Sequence, residues 1–139
     1  MGKSSVSFAD MSSRVGTEIA SSATKIAEGM ARETETQTKR NIGRGTNSGL
    51  RYPVPGTSRT YQASSPGEAP ANRTGDLMNS YTTTQISQFA YAVFSNLRYA
   101  KIEMGFGDVA PRPALRPANQ EVLSRRDDII SRATKNLKR

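Results

Sequence analysis

Ser64-Ser65-Pro66-Gly67-Glu68-Ala69-Pro70-Ala71-Asn72-Arg73-Thr74-Gly75-Asp76-Leu77-Met78-Asn79-Ser80-Tyr81 is the stretch that divides this chain. It opens as loop broken by proline and glycine, turns at Arg73-Thr74-Gly75, and becomes a short amphipathic run leading into strand-like sequence. Either Thr74 or Asp76 supplies a helix cap, Leu77 and Met78 the buried contact, and Gly75 a backbone geometry that other residues resist. A long helical pattern precedes the stretch, and a series of strands, short helix and long helix follows it. The expected architecture is α+β: a long N-terminal helix and a C-terminal helix packed on a small, mainly antiparallel sheet, with a long extended loop. One domain over residues 1–139 is expected, divided into a helix over 7–40, an assembly loop over 41–72 and a core over 73–139.

Upstream, Phe8, Met11, Val15, Ile19, Ala23, Ile26 and Met30 recur at spacings of three and four, which places them on one helical face. Ser7 followed by Asp10 fits a capping box, so the helix is expected to start near Ser7. Gly16 and Gly29 each weaken it by about 1 kcal/mol relative to Ala. After Met30 the apolar stripe stops, and the run from Arg32 to Arg40 carries three β-branched threonines and no apolar face. Charge runs of this kind are usually solvated, so a solvated or frayed end is expected; the alternative is a polar face that docks on a neighbouring subunit. Residues 41–72 are rich in Gly, Pro, Ser, Thr and Asn and read as a loop that orders on assembly. Alternation at Leu50, Tyr52 and Val54 permits a short edge strand, since Pro53 and Pro55 forbid a central one.

Downstream, Thr82–Ser87 and Tyr91–Ser95 are rich in β-branched and aromatic residues and read as an antiparallel pair. Tyr99, Ile102 and Phe106 mark a short helix ended by Gly105. Residues 107–113 form a stiff approach, and Leu115, Ala118, Val122, Ile129, Ile130, Ala133 and Leu137 make the stripe of one closing helix of about six turns. Pro117 is tolerated because the first amides of a helix have no internal partner.

Composition narrows the chemistry. Apolar residues make up 35% of the chain, a thin core for 139 residues, so part of it is expected to be held by partner subunits. Twenty basic against 12 acidic residues give +8, which favours a polyanion or an acidic protein surface. With neither Cys nor His, the chain lacks a thiolate, the commonest metal ligand and the usual general base near pH 7. No catalytic site, cofactor or metal is expected. No apolar run reaches the roughly 20 residues needed to span a bilayer, and Met1–Val6 fits neither a signal peptide nor a myristoylation pattern. The protein is expected to be soluble and intracellular when made.

Gly105-Phe106-Gly107-Asp108-Val109-Ala110 matches a dinucleotide fingerprint in letters, but Pro111 and Pro113 follow where a helix should open. A helix cap and a turn explain these glycines. The carboxylate groupings Asp127-Asp128, Glu33 with Glu35, and Glu103 with Asp108 are read as surface charge, partly paired with Arg125, Arg126 and Arg132. Arg40, Arg44, Arg51 and Arg59, interleaved with Tyr52 and Tyr61, form a second candidate set. They suit contact with DNA phosphates and bases, or with another subunit. A small basic DNA-binding module is therefore the alternative function.

Three blocks now stand in order. They are Pro66-Gly67-Glu68 with Arg73-Thr74-Gly75, Leu77 and Ser80; Tyr99-Ala100 with Glu103 and Gly105; and Arg112-Pro113 with Leu115-Arg116-Pro117-Ala118. Over residues 64–120 this order resembles the tail-completion, or head-tail joining, family of long-tailed bacteriophages and prophages, also labelled morphogenesis or tail-component proteins. Phe106 stands where that family often has Thr, and Ala114 where a bulky apolar residue is common. The resemblance implies a structural virion protein, made in the bacterial cytoplasm, that forms a homo-oligomeric ring at the neck. The ring is typically a hexamer between connector and tail-tube or tail-terminator proteins, with DNA passing through the lumen.

Overall fold

The computed structural model describes residues 8–45 and 47–135. Ser7 of the expected capping box and Leu137 of the closing stripe lie outside them. The order of elements is α1 (Phe8–Arg44), β1 (Arg51–Pro53), β2 (Thr60–Gln62), α2 (Asp76–Ser80), β3 (Tyr81–Ser87), β4 (Ala90–Ser95), a 3-10 helix (Arg98–Glu103), α3 (Leu115–Ser124) and α4 (Arg126–Thr134). Two antiparallel hairpins, β1–β2 and β3–β4, make the sheets. The fold is α+β, with α1 as its spine: β3–β4, α2, α3 and α4 all pack along it.

α1 has 37 residues, about 55 Å at 1.5 Å per residue. Its burial runs against its polarity. Met11, Val15 and Ile19 are 52–58% exposed, Ala23, Ile26 and Met30 are half-buried, and Ala31, Thr34, Thr38 and Ile42 are buried. The polar run after Met30 is therefore not a frayed, solvated end; one of its faces is the most deeply packed part of the helix, while Arg32, Thr36 and Arg40 stay exposed. The threonines make this possible. Thr34 Oγ1 donates to the Met30 carbonyl at 2.8 Å and Thr38 Oγ1 to the Thr34 carbonyl at 2.7 Å. Each hydroxyl is satisfied within the helix, which leaves a methyl group to face the core. α1 also continues past Arg40 to Arg44, because Ile42 enters the main cluster with Tyr81 and Ala114. Ala69, Leu77, Met78, Val93 and Leu115 close around these three. Burial, with the charge of Glu103 adding to it, pushes the Tyr81 phenol up to about 12.

The segment after α1 contains a hairpin and a turn. β1 and β2 pair Arg51 with Gln62, Tyr52 with Tyr61 and Pro53 with Thr60. A two-stranded sheet is all edge, so Pro53 costs little there. Ser65-Pro66-Gly67-Glu68 is a β-turn, with the Glu68 amide donating to the Ser65 carbonyl at 3.0 Å and Gly67 at φ +86°. That is the type II arrangement, with Pro at its second position and Gly at its third. The Glu68 carboxylate accepts from the Ser65 amide at 2.8 Å, the Ser48 amide at 3.0 Å and the Ser48 hydroxyl at 2.5 Å. These bonds hold its pKa below the usual carboxylate value. The segment read as a loop thus carries structure of its own, a hairpin and a turn tied by Glu68.

β3 and β4 pair as expected, with a register shift between Gln85 and Ser87. Their tip reaches α1, where the Thr24 hydroxyl donates to the Gln88 carbonyl at 3.0 Å. The closing helix is two helices rather than one, broken at Arg125 (φ −104°, ψ 13°). Ala118 and Val122 of α3 and Ile129 of α4 are buried. Arg125 and Arg132 bind opposite oxygens of Glu33 on α1, at 3.7 and 3.6 Å, so the bend keeps both helices on the spine. Ile129 Cγ2 lies 3.5 Å from where a Cβ on Gly29 would stand.

The surface is large for the mass. The chain exposes 9921 Å², against roughly 7,100 Å² for a compact monomer of 15.1 kDa. No helix among the described residues is long and apolar enough to cross a membrane.

Candidate functional site

The three sequence blocks meet at one junction. Glu103, at the end of the 3-10 helix, places its carboxylate on the open start of α3. It accepts from the amides of Ala114 (2.7 Å), Leu115 (3.1 Å) and Arg116 (2.8 Å). Ala114 has no side chain able to cap, so the second block supplies the cap of the third, and the negative charge suits a helix N-terminus. Gly105, at φ +77°, lets the chain fold back; a Cβ there would stand 2.7 Å from the Val109 carbonyl oxygen. Arg112 then ties the third block to the first. Its amide donates to the Ile102 carbonyl at 2.8 Å, and its Nε donates to the Ser64 hydroxyl at 3.1 Å and carbonyl at 3.3 Å. Its Nη1 reaches the Ala110 carbonyl at 2.9 Å. The Gly67 amide donates to the Pro111 carbonyl at 3.0 Å.

Within the first block, Gly75 (φ +86°) precedes α2, and the Thr74 hydroxyl accepts from the Asp76 amide at 3.3 Å. Leu77 packs into the main cluster. Ser80 Oγ donates to the Leu77 carbonyl at 2.6 Å and lies 2.5 Å from Ser95 Oγ on β4.

Two concavities flank this junction. A cleft of about 280 Å³ is lined by Tyr61, Arg73, Thr74, Gly75, Leu77, Tyr99 and Arg112, among others. The Arg73 guanidinium lies 5.9 Å from the centre of the Tyr61 ring, which pairs across the hairpin with Tyr52 at 6.0 Å. A second, shallower groove of about 400 Å³ joins Arg40 and Arg44 on the last turns of α1 to Gly67, Pro113 and Pro117. The residues read as possible subunit or DNA contacts are therefore divided. Tyr52 and Tyr61 gather beside Arg73, which that set had left out, and Arg40 with Arg44 line the second groove. Arg51 turns to Thr60 at 3.4 Å, and Arg59 is exposed at the hairpin turn.

Glu35 and Glu33 are tied into the fold. Glu35 receives Lys39 at 2.8 Å and the Thr83 hydroxyl at 2.6 Å. Desolvation raises its pKa, but these bonds outweigh it and leave the pKa lowered. Arg126 approaches Asp127 at 4.0 Å, whereas Arg125 and Arg132 turn to Glu33. No group of three potential metal ligands occurs among the described residues. The glycine fingerprint is a tight turn in which Phe106 and Val109 exchange amide bonds at 3.0 and 2.8 Å, with extended chain after it. No helix opens there to receive a pyrophosphate. What sequence reasoning missed is the role of Glu103, because a cap delivered from 11 residues upstream has no local signal.

Searches of protein-family models, curated proteins and solved structures find no match to this chain.

Proposed function

We propose that this chain is a non-catalytic structural subunit of the head-tail joining ring of a long-tailed phage virion. In that reading it lies in the neck, in contact with copies of itself, with connector and tail-tube or tail-terminator proteins, and with DNA passing through the lumen. The observation that carries the assembly part is the surface. The excess over a compact monomer is roughly 2,800 Å², more than three times the ~800 Å² per partner of a standard interface. It includes large apolar side chains from α1, the β3–β4 hairpin and the 105–109 turn. The junction of the three blocks supports the joining part, since it fixes the angles between α2, the 3-10 helix and α3 through backbone-directed bonds. Electron microscopy of the purified protein, alone and mixed with phage tails, tests the reading. Rings that cap tail ends support it; tails left bare in a saturating excess of protein overturn it.

A second reading is a small DNA-binding module, favoured by the exposed Arg51, Arg59 and Arg73 around the Tyr52–Tyr61 pair. It requires salt-sensitive binding of the monomer to duplex DNA, and no binding at low salt removes it.

A further inference from the structure

We infer that the cleft beside the three-block junction is a docking site for an extended segment of a partner protein in which a large aliphatic side chain stands next to Asp or Glu. The inference stands on the cleft alone and does not rest on the joining reading. The wall of the cleft is apolar at depth: Leu77 packs into the main cluster, and Ile102 is half-buried. Nearer the solvent, Leu97 is 39% and Tyr99 64% exposed. The volume of about 280 Å³ falls just below the ~300–1,000 Å³ of small-molecule sites, so the cleft suits one or two side chains rather than a cofactor-sized body.

Its cations are not matched by the chain's own acids. Arg112 gives Nε and Nη1 to neutral oxygens of Ser64 and Ala110. The Arg73 guanidinium is exposed and lies 5.9 Å from the centre of the Tyr61 ring. Neither makes an ion pair with a carboxylate among the described residues. The charge of Glu68 reaches Arg112, but its oxygens are engaged by Ser48 and Ser65. Asp76 is the one acid on the cleft wall. Around it, residues 40–116 hold nine basic and four acidic side chains, which leaves five of the chain's net +8 in this part. Such a field draws in an acidic partner. Arg112 is committed to the junction, so Arg73 is the residue that receives the carboxylate.

The other groups on the wall favour a peptide over nucleic acid. Asp76 repels phosphate, whereas it accepts from a peptide N–H. The Asn72 amide both donates and accepts, and the Thr74 hydroxyl, which accepts from the Asp76 amide, keeps its proton to donate. An extended backbone with alternate side chains in pockets uses such a mixture. Phosphate contacts need cations and no apolar wall.

The test uses full-length, nitrogen-15-labelled protein and a set of seven-residue peptides with Gly-Ser flanks. At their centre Leu, Ile or Val is joined to Asp, Glu, Asn, Gln or Lys. Acidic members are expected to bind about 5-fold more tightly than their amide counterparts, the scale of one exposed ion pair. Amide signals of Thr74, Gly75, Tyr99 and Ile102 should move on binding. Equal affinity for acidic and amide members, shifts confined to other parts of the chain, or no acidic member bound at about 1 mM overturns the proposal.

Arg73→Glu is expected to keep the thermal midpoint, because the position is exposed, and to reverse the ranking so that lysine members bind best. An unchanged ranking overturns the proposal. Arg73→Gln makes the same comparison if the reversed charge lowers the midpoint: acidic and amide members should then bind alike, and a surviving preference for acid counts against the site. Duplex DNA that moves the same amides and displaces the acidic peptides would give the cleft to nucleic acid and overturn the peptide assignment.

Discussion

Within α1, Met11, Val15 and Ile19 stand in solvent while Thr34 and Thr38 are buried, the reverse of what side-chain polarity dictates. The two ends of one helix face different tasks. The C-terminal end is surrounded by its own chain, where a threonine with its hydroxyl bonded back to the preceding turn packs as a small apolar group. The N-terminal end extends beyond Thr24, which meets the β3–β4 tip, and its apolar row of Met11, Val15 and Ile19 is more than half exposed. Polarity along a helix is thus a poor guide to burial when hydroxyls are satisfied inside the helix.

The contrast can be broken most forcefully at Ile42. Ile42→Ala is expected to destabilise the chain by about 2–5 kcal/mol, the range for truncating a buried large aliphatic residue. Ile19→Ala should stay within about 0.5 kcal/mol in the monomer, as for exposed positions. Urea midpoints of the two variants measure the gap, and equal costs would abolish the distinction between the ends.

Gly75→Val places a β-branched residue at φ +86°, with its Cβ 3.3 Å from Asn79 Nδ2. A cost of about 1–2 kcal/mol is expected from the left-handed backbone. Joining should suffer more than folding; a variant that unfolds earlier yet joins normally would separate this turn from assembly.

Glu103→Ala removes one acceptor from three amides and should cost roughly 0.5–2 kcal/mol, the range for helix caps. Part of that loss should return in Glu103→Gln. Hydrogen exchange at Ala114, Leu115 and Arg116 localises the effect, and unchanged protection there would show the cap to be dispensable.

The smallest change expected is at Thr38. Thr38→Val deletes a hydroxyl whose acceptor is a carbonyl on the preceding turn of the helix, so stability should shift by less than about 1 kcal/mol. A loss of several kcal/mol would mean that the hydroxyl, rather than the methyl, holds this end of α1.

Legibility in the sequence followed locality. The β3–β4 pair, the α2 turn at Gly75 and the stop at Gly105 were readable because β-branched runs and glycines act within a few residues. Half of the β1–β2 hairpin was visible as alternation at Leu50, Tyr52 and Val54; its partner strand carried no such pattern. The break at Arg125 has neither Pro nor Gly to announce it. It follows from the fit of α3 and α4 to α1, with Glu33 holding arginines on both sides. Burial of Thr34 and Thr38 was hidden because threonine counts as polar until its hydroxyl is known to be bonded inside the helix. Of the candidate site, the sequence displayed the three blocks and their order, but not that Glu103 and Arg112 latch them together.

The central claim is that this chain is built to assemble with itself. Sedimentation of the purified protein across a concentration series, with electron microscopy of the same samples, tests it most directly. A closed particle of fixed subunit number, six on the family resemblance, is the predicted result. A 15.1 kDa monomer at every concentration up to the solubility limit would contradict it.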